Sequence, residues 1–208
     1  MKRRSLLKAG AAFAVPGVLS FGASAKPVSK VKAPKILVVY FSRPGMNYVS
    51  GDMVNLPVGN TEKFAKIIAK TLDTPLFRIE PVTPYPFDYR KTTAIAREER
   101  SAGKARDAKA IPDIRGYDVI FWGHPIWYGE MPYIVRGVLS KLDCAGKTIV
   151  PFVTHEGSGI GDTANLVRSF QKRAAVREGL GILGTRFARN EPVEPEITAW
   201  LKRLGYQK

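Results

Sequence analysis

Short apolar runs alternate along this chain with longer amphipathic stretches. Residues 35–41 (KILVVYF) are almost wholly apolar, β-branched or aromatic, which predicts a strand buried on both faces. Residues 58–72 (VGNTEKFAKIIAKTL) instead place Phe64, Ile67, Ile68 and Leu72 at a helical period, with Asn60 and Thr61 at the start and Glu62 in the first turn. The pattern then repeats. Strands are expected at 75–80, 117–123 and 147–154, and a fifth within 174–187. Helices are expected at 89–109, 133–142, 162–173 and 194–204. The first of these is heavily charged and reads as a solvated surface; the third should turn Leu166, Val167 and Phe170 inward, and the last Ile197, Trp200, Leu201 and Leu204. Fully apolar strands alternating with helices predict one doubly wound parallel α/β sheet with helices on both faces. Residues 46–59, between the first strand and the first helix, are rich in Gly, Asn and Pro and read as a long functional or mobile loop.

The N-terminus changes the setting. Residues 1–25 carry the pair Arg3-Arg4, then Leu6, Leu7 and Lys8, a proline-broken Ala/Gly-rich middle and a small-residue Ala23-Ser24-Ala25 end. That predicts a cleaved twin-arginine export signal rather than a membrane anchor, followed by a linker over 26–34 and one domain over 35–208. Such export commonly serves proteins that take up a cofactor before crossing the membrane, and the expected location is the periplasm or another place outside the cytoplasm. The signal holds four basic and no acidic residues, so the net charge falls from +15 for the whole chain to +11 for the exported part. A basic surface points to acidic partners, to anionic lipid headgroups or simply to solubility; no nucleic-acid recognition motif accompanies it. Cys144 is alone, so no internal disulfide forms, and it reads as a buried small hydrophobe. With His124 and His155 as the sole histidines, no metal-ligand spacing is present.

Candidate chemistry collects at the expected carboxyl ends of the strands, where ligands bind in such sheets. The first strand ends in Ser42 and Arg43, and the first helix opens at Asn60 and Thr61: hydroxyls and free backbone N–H groups suited to a phosphate. The third strand runs into Pro125, Ile126, Trp127, Tyr128 and Gly129, an aromatic wall. The fourth runs into Thr154, His155, Glu156, Gly157, Ser158 and Gly159, a polar, glycine-rich turn. A phosphate seat, an aromatic wall and a backbone-rich edge suit a flat heteroaromatic ligand with a phosphate tail, and flavin mononucleotide (FMN) has that shape.

These residues also carry a resemblance. Residues 36–43 with 59–62 (GNTE), then 80–89 (EPVTPYPFDY), 116–129 (GYDVIFWGHPIWYG) and 146–159 (GKTIVPFVTHEGSG) together resemble the flavodoxin-like FMN proteins, over essentially the whole exported chain. The resemblance implies a five-stranded sheet in the order 2-1-3-4-5. It implies phosphate contacts from Ser42, Asn60 and Thr61, and a flavin ring flanked by residues 125–129 and 154–159. Two features depart from the family. The phosphate loop is interrupted by residues 46–59, so that either Gly45 or Gly59 stands in for its glycine and Tyr48 is placed to fold over the ring. Tyr128 follows Trp127 directly, where many members have Gly. The expected function is electron transfer with a redox partner protein or small acceptor. The alternatives are an FMN-dependent NAD(P)H or quinone oxidoreductase, and a flavin-free binding protein on the same fold.

Overall fold

The computed structural model describes residues 33–207. The expected export signal and most of the linker therefore lie outside the described residues. Strand β1 (Ile36–Tyr40) sends Leu37, Val39 and Phe41 to one side of the sheet and Val38 and Tyr40 to the other, all buried. It pairs in parallel with β4 (Leu76–Arg78) and with β5 (Val119–Pro125), and β5 pairs in parallel with β6 (Thr148–His155). The last position is shared by two short strands, both parallel to β6. β7 (Ala175–Val176) pairs with its first residues and β8 (Leu180–Leu183) with its last. The order β4-β1-β5-β6 followed by β7 and β8 is the expected 2-1-3-4-5 arrangement, its fifth strand split by the 177–179 segment.

Helices cover both faces. Helix α1 (Asn60–Leu72), the short α5 (Gly184–Ala188) and α6 (Glu194–Arg203) pack over Val38, Phe121, Val150 and Phe152. Helices α3 (Tyr133–Leu139) and α4 (Thr163–Phe170) pack over Leu37, Val39, Ile120 and Trp122, where Ile95 of α2 (Tyr89–Ala102) also joins. In α4, Val167 is fully buried but Phe170 is 39% exposed, contrary to the inward position expected for it. It is the helix's final residue, where the stripe has already left the sheet. Helix α2 ends at Ala102 because Gly103 adopts the left-handed conformation and its N–H returns to Arg100 and Glu99, so the helix does not reach 109. Among the described residues no helix is long and apolar enough to cross a membrane.

Residues 46–56 of the expected loop are a regular element. β2 (Gly45–Val49) and β3 (Asp52–Leu56) form an antiparallel hairpin turned at Ser50-Gly51, both at positive φ (51° and 107°). Such a two-residue turn matches the natural twist of the arms. Cys144 is buried as expected, and burial pushes its thiol up to about 11.

Candidate functional site

Helix α1 has no side-chain cap, because its N-cap residue is Gly59. A capping side chain contributes about 1 kcal/mol, whereas Phe64 and Ile68, both fully buried, contribute roughly 2 kcal/mol each by area. The core therefore fixes this helix, and its first turn can stay open. The N–H groups of Glu62 and Lys63 turn back to the Gly59 carbonyl at 3.1 and 3.3 Å. Those of Asn60 and Thr61 make no hydrogen bond among the described residues. Gly59 is pressed against the Ser42 hydroxyl and the Arg43 carbonyl so closely that a Cβ would overlap both. Gly59, and not Gly45, thus brings Ser42 to the helix head; Gly45 (φ 99°) instead opens the hairpin.

Around this head the structure assembles a cleft of about 160 Å³ that combines residues from all three expected loops. Ser42, Arg43, Asn60, Thr61, Pro125, Ile126, Trp127, Thr154, His155 and Glu156 line it. The Thr61 and Thr154 hydroxyls meet at 2.7 Å, tying the helix head to the end of β6. Asn60 Oδ1 is buried with no partner. Glu156 accepts a hydrogen bond from the Thr185 hydroxyl at 2.5 Å. Asn60 and Glu156 both press on Gly184, where a Cβ would come within 3 Å of Glu156 Oε1 (2.7 Å) and Asn60 Nδ2 (2.8 Å).

Among the described residues that line the cleft, no cation is free. Arg43 lines the cleft, but its guanidinium donates to the carbonyls of Pro86 (2.8 Å), Phe87 (3.2 Å) and Met46. It is a strut holding the hairpin to the 86–87 turn rather than an open anion ligand. Lys63 turns away to Phe187 and Asn190. An anion here would be met by neutral donors and the α1 dipole.

The other end is aromatic. Trp127 and Glu130 exchange both backbone hydrogen bonds (2.9 and 3.0 Å) around a tight turn in which Tyr128 and Gly129 take φ 51° and 76°. Tyr128 therefore already holds the left-handed conformation that Gly would adopt freely, and its hydroxyl is anchored 2.9 Å from the Thr93 carbonyl. That anchor swings Tyr128 out of the cleft into an adjoining chamber of about 350 Å³, bounded by Tyr89, Thr92, Ala96, Ile126 and Trp127. Gly129 lies outside the cleft at the turn's tip. Gly157, Ser158 and Gly159 also lie outside it, because the Gly157 N–H turns back to His155 Nδ1 at 3.0 Å and directs the segment outward. Burial holds His155 below its ordinary pKa, against the pull of Glu156.

His124, one residue before the aromatic loop, is fully buried. Its Nδ1–H donates to the Pro125 carbonyl at 3.0 Å, its Nε2 has no partner, and burial pushes its pKa down to about 4. It is a neutral structural residue at neutral pH.

Asn47, Tyr48, Tyr89 and Gly184 also line the cleft. Of these only Tyr48 was indicated by the sequence; Asn47 belongs to the unrecognised hairpin, and the other two arrive from distant segments. A larger cavity, about 540 Å³, lies across the Ser42-Arg43 segment among Phe41, Ile79, Tyr85, Phe87 and four prolines. It lacks the helix-head donors, so the smaller cleft is the better candidate despite its size.

A family model described as flavodoxin matches residues 35–204. Among solved structures, a candidate flavoprotein of Bacteroides eggerthii is 27% identical, with 83% of this chain and 98% of that one covered and a TM-score of 0.63. A similar candidate flavoprotein of Bacteroides uniformis is 24% identical, covering 80% and 99%, with a TM-score of 0.60. A flavoprotein of Lactobacillus acidophilus in complex with FMN is 20% identical, covering 72% and 93%, with a TM-score of 0.51. Comparison with curated proteins gave no match.

Proposed function

We propose, because the chain belongs to the flavodoxin family, that its cleft holds FMN non-covalently and that the protein passes electrons to and from a redox partner. The observation that carries this reading is the chemistry of the α1 head. The free N–H groups of Asn60 and Thr61 and the Ser42 hydroxyl are donors for a phosphate. The buried, unpartnered Asn60 Oδ1 is an acceptor suited to a hydroxyl of the ribityl chain. Pro125, Ile126 and Trp127 would flank the ring, with Tyr89 and the adjoining chamber giving it room. The Lactobacillus acidophilus structure with FMN bound supports the same cofactor on this fold.

Bound FMN supplies reversible one- and two-electron chemistry. The chain's own residues orient it and set the field around it. Phosphate would be held by backbone dipoles without a neutralising side-chain cation from the cleft lining, where Glu156 places its carboxyl group. His155 accepts from Gly157 at Nδ1 and is held neutral, so that nitrogen has no proton to give. Export by the twin-arginine route and an acidic partner belong to the same proposal, supported by Arg3-Arg4 and by the excess of basic residues.

The test is a visible absorption spectrum of the protein purified from the periplasm, with any released cofactor identified by mass. Flavin bands and FMN are expected. A colourless protein that also takes up no added FMN would overturn the reading.

A further inference from the structure

Trp127 is held at the cleft by ring edges rather than by side-chain hydrogen bonds. It meets Phe41 at 5.5 Å with the planes at 83°, and Tyr85 at 5.0 Å with the planes at 90°. Phe41 is fixed where β1 leaves the sheet. Tyr85 lies in the proline-punctuated 81–88 segment, which forms no helix or extended strand, so its ring needs another anchor. That anchor is Glu99, on the last turn of α2: the Tyr85 hydroxyl donates to both of its carboxylate oxygens, at 2.8 and 3.1 Å. Glu99 is itself buried, and its charge is met by Arg106, whose Nε donates at 2.6 Å. The Arg106 guanidinium also lies 3.9 Å over the Tyr85 ring and donates to the Thr83 carbonyl at 2.6 Å. Tyr85 is therefore gripped at its tip by a carboxylate and on its face by a cation.

We propose that Tyr85, Glu99 and Arg106 are positioning residues that set the Trp127 indole against the bound flavin, and so tune flavin affinity and redox potential from behind the cleft. The inference rests on the FMN reading above. An exposed ion pair would be a weak device for this purpose. Here the carboxylate is largely shielded from water, so removing one member leaves a poorly compensated charge and the geometry is held more firmly. Burial and the neighbouring carboxylate raise the Tyr85 pKa, so the phenol remains a donor throughout the ordinary pH range. Tyr85 does not line the cleft; its route to the cofactor runs through Trp127.

A mutant cycle separates this role from a merely structural one. Tyr85→Phe keeps both ring contacts and deletes the hydroxyl. It is measured alone and in a Trp127→Leu background, reading FMN affinity by fluorescence, the flavin midpoint potential and the visible circular dichroism of bound flavin. The expected result is a loss of about five- to tenfold in affinity with a shifted potential when Trp127 is present, and less than about twofold with no potential shift when it is absent. Equal losses in both backgrounds overturn the proposal. Arg106→Lys keeps the charge but loses the planar stack and the fixed Nε donor, and should act in the same direction; it serves if Tyr85→Phe fails to fold. Wild-type protein that takes up no FMN contradicts the cofactor reading, and the brace falls with it; FMN uptake with equal losses contradicts the brace alone.

Discussion

At the α1 end of the cleft the polar groups come chiefly from a strand end and a helix start, Ser42 and residues 59–61, with Gly59 in contact between them. At the Trp127 end, the position of one indole depends on Phe41, on Tyr85 from the 81–88 segment, on Glu99 from α2 and on Arg106 beyond it. The first end relies on backbone N–H groups that a side-chain mutation leaves in place, supplemented by the Ser42 hydroxyl and Asn60 Oδ1, and it is vulnerable above all to crowding. The second uses a relay of side chains, each of which can be removed. A phosphate demands fixed donors at short range, whereas a ring demands a flat surface at the correct height. The two constructions follow from those demands.

Acid should distinguish the two ends most strongly. His124 donates to the carbonyl of Pro125, the start of the aromatic loop, and its pKa in the fold is about 4 against about 6.5 in an unfolded chain. Above pH 6.5 both states are neutral and the residue adds no pH dependence. As pH falls from 6.5 towards 4 the unfolded chain takes up a proton that the fold refuses, so stability drops, by about 3 kcal/mol from this residue. Urea unfolding between pH 7.5 and pH 4 measures the slope, and His124→Gln should flatten it. An unchanged slope in the variant would assign the acid sensitivity elsewhere.

The next largest effect belongs to the helix head. Gly59→Ala forces a Cβ into Ser42 and the Arg43 carbonyl, displacing the phosphate donors. FMN affinity should fall by about a hundredfold, the worth of one or two charge-assisted hydrogen bonds, while riboflavin, which has no phosphate, should bind nearly as before. Trp127→Ala should instead leave selectivity unchanged. Both ligands weaken by about tenfold, and their ratio is preserved. Fluorescence titrations with both ligands read both outcomes, and a ratio that moves equally in the two variants would dissolve the distinction between the ends.

The locally built end is also the end that the sequence exposed. Glycine, asparagine and threonine opening an amphipathic helix after a buried strand carry their meaning within a few residues. Runs such as 36–40 and 119–123 mark the strands, while their order in the sheet is what the family resemblance implies. The hairpin was missed because its arms are short and mixed in polarity, with Met53 and Val54 left exposed; Ser50-Gly51 was the available turn signal. Glu99 and Arg106 sat in a charge run that reads as solvated surface. Only the fold reveals that the last turn of α2 dips behind Trp127, a contact between residues far apart in sequence. Tyr89 and Gly184 reach the cleft for the same reason, and no local pattern marks them.

The most direct test of the two-ended cleft is the ratio of FMN to riboflavin affinity in the unmodified protein, measured by fluorescence titration after removal of any bound flavin. The account predicts that both bind and that FMN binds about a hundredfold more tightly, the difference arising at the α1 head. Equal affinity for the two ligands, or no uptake of either, would contradict it.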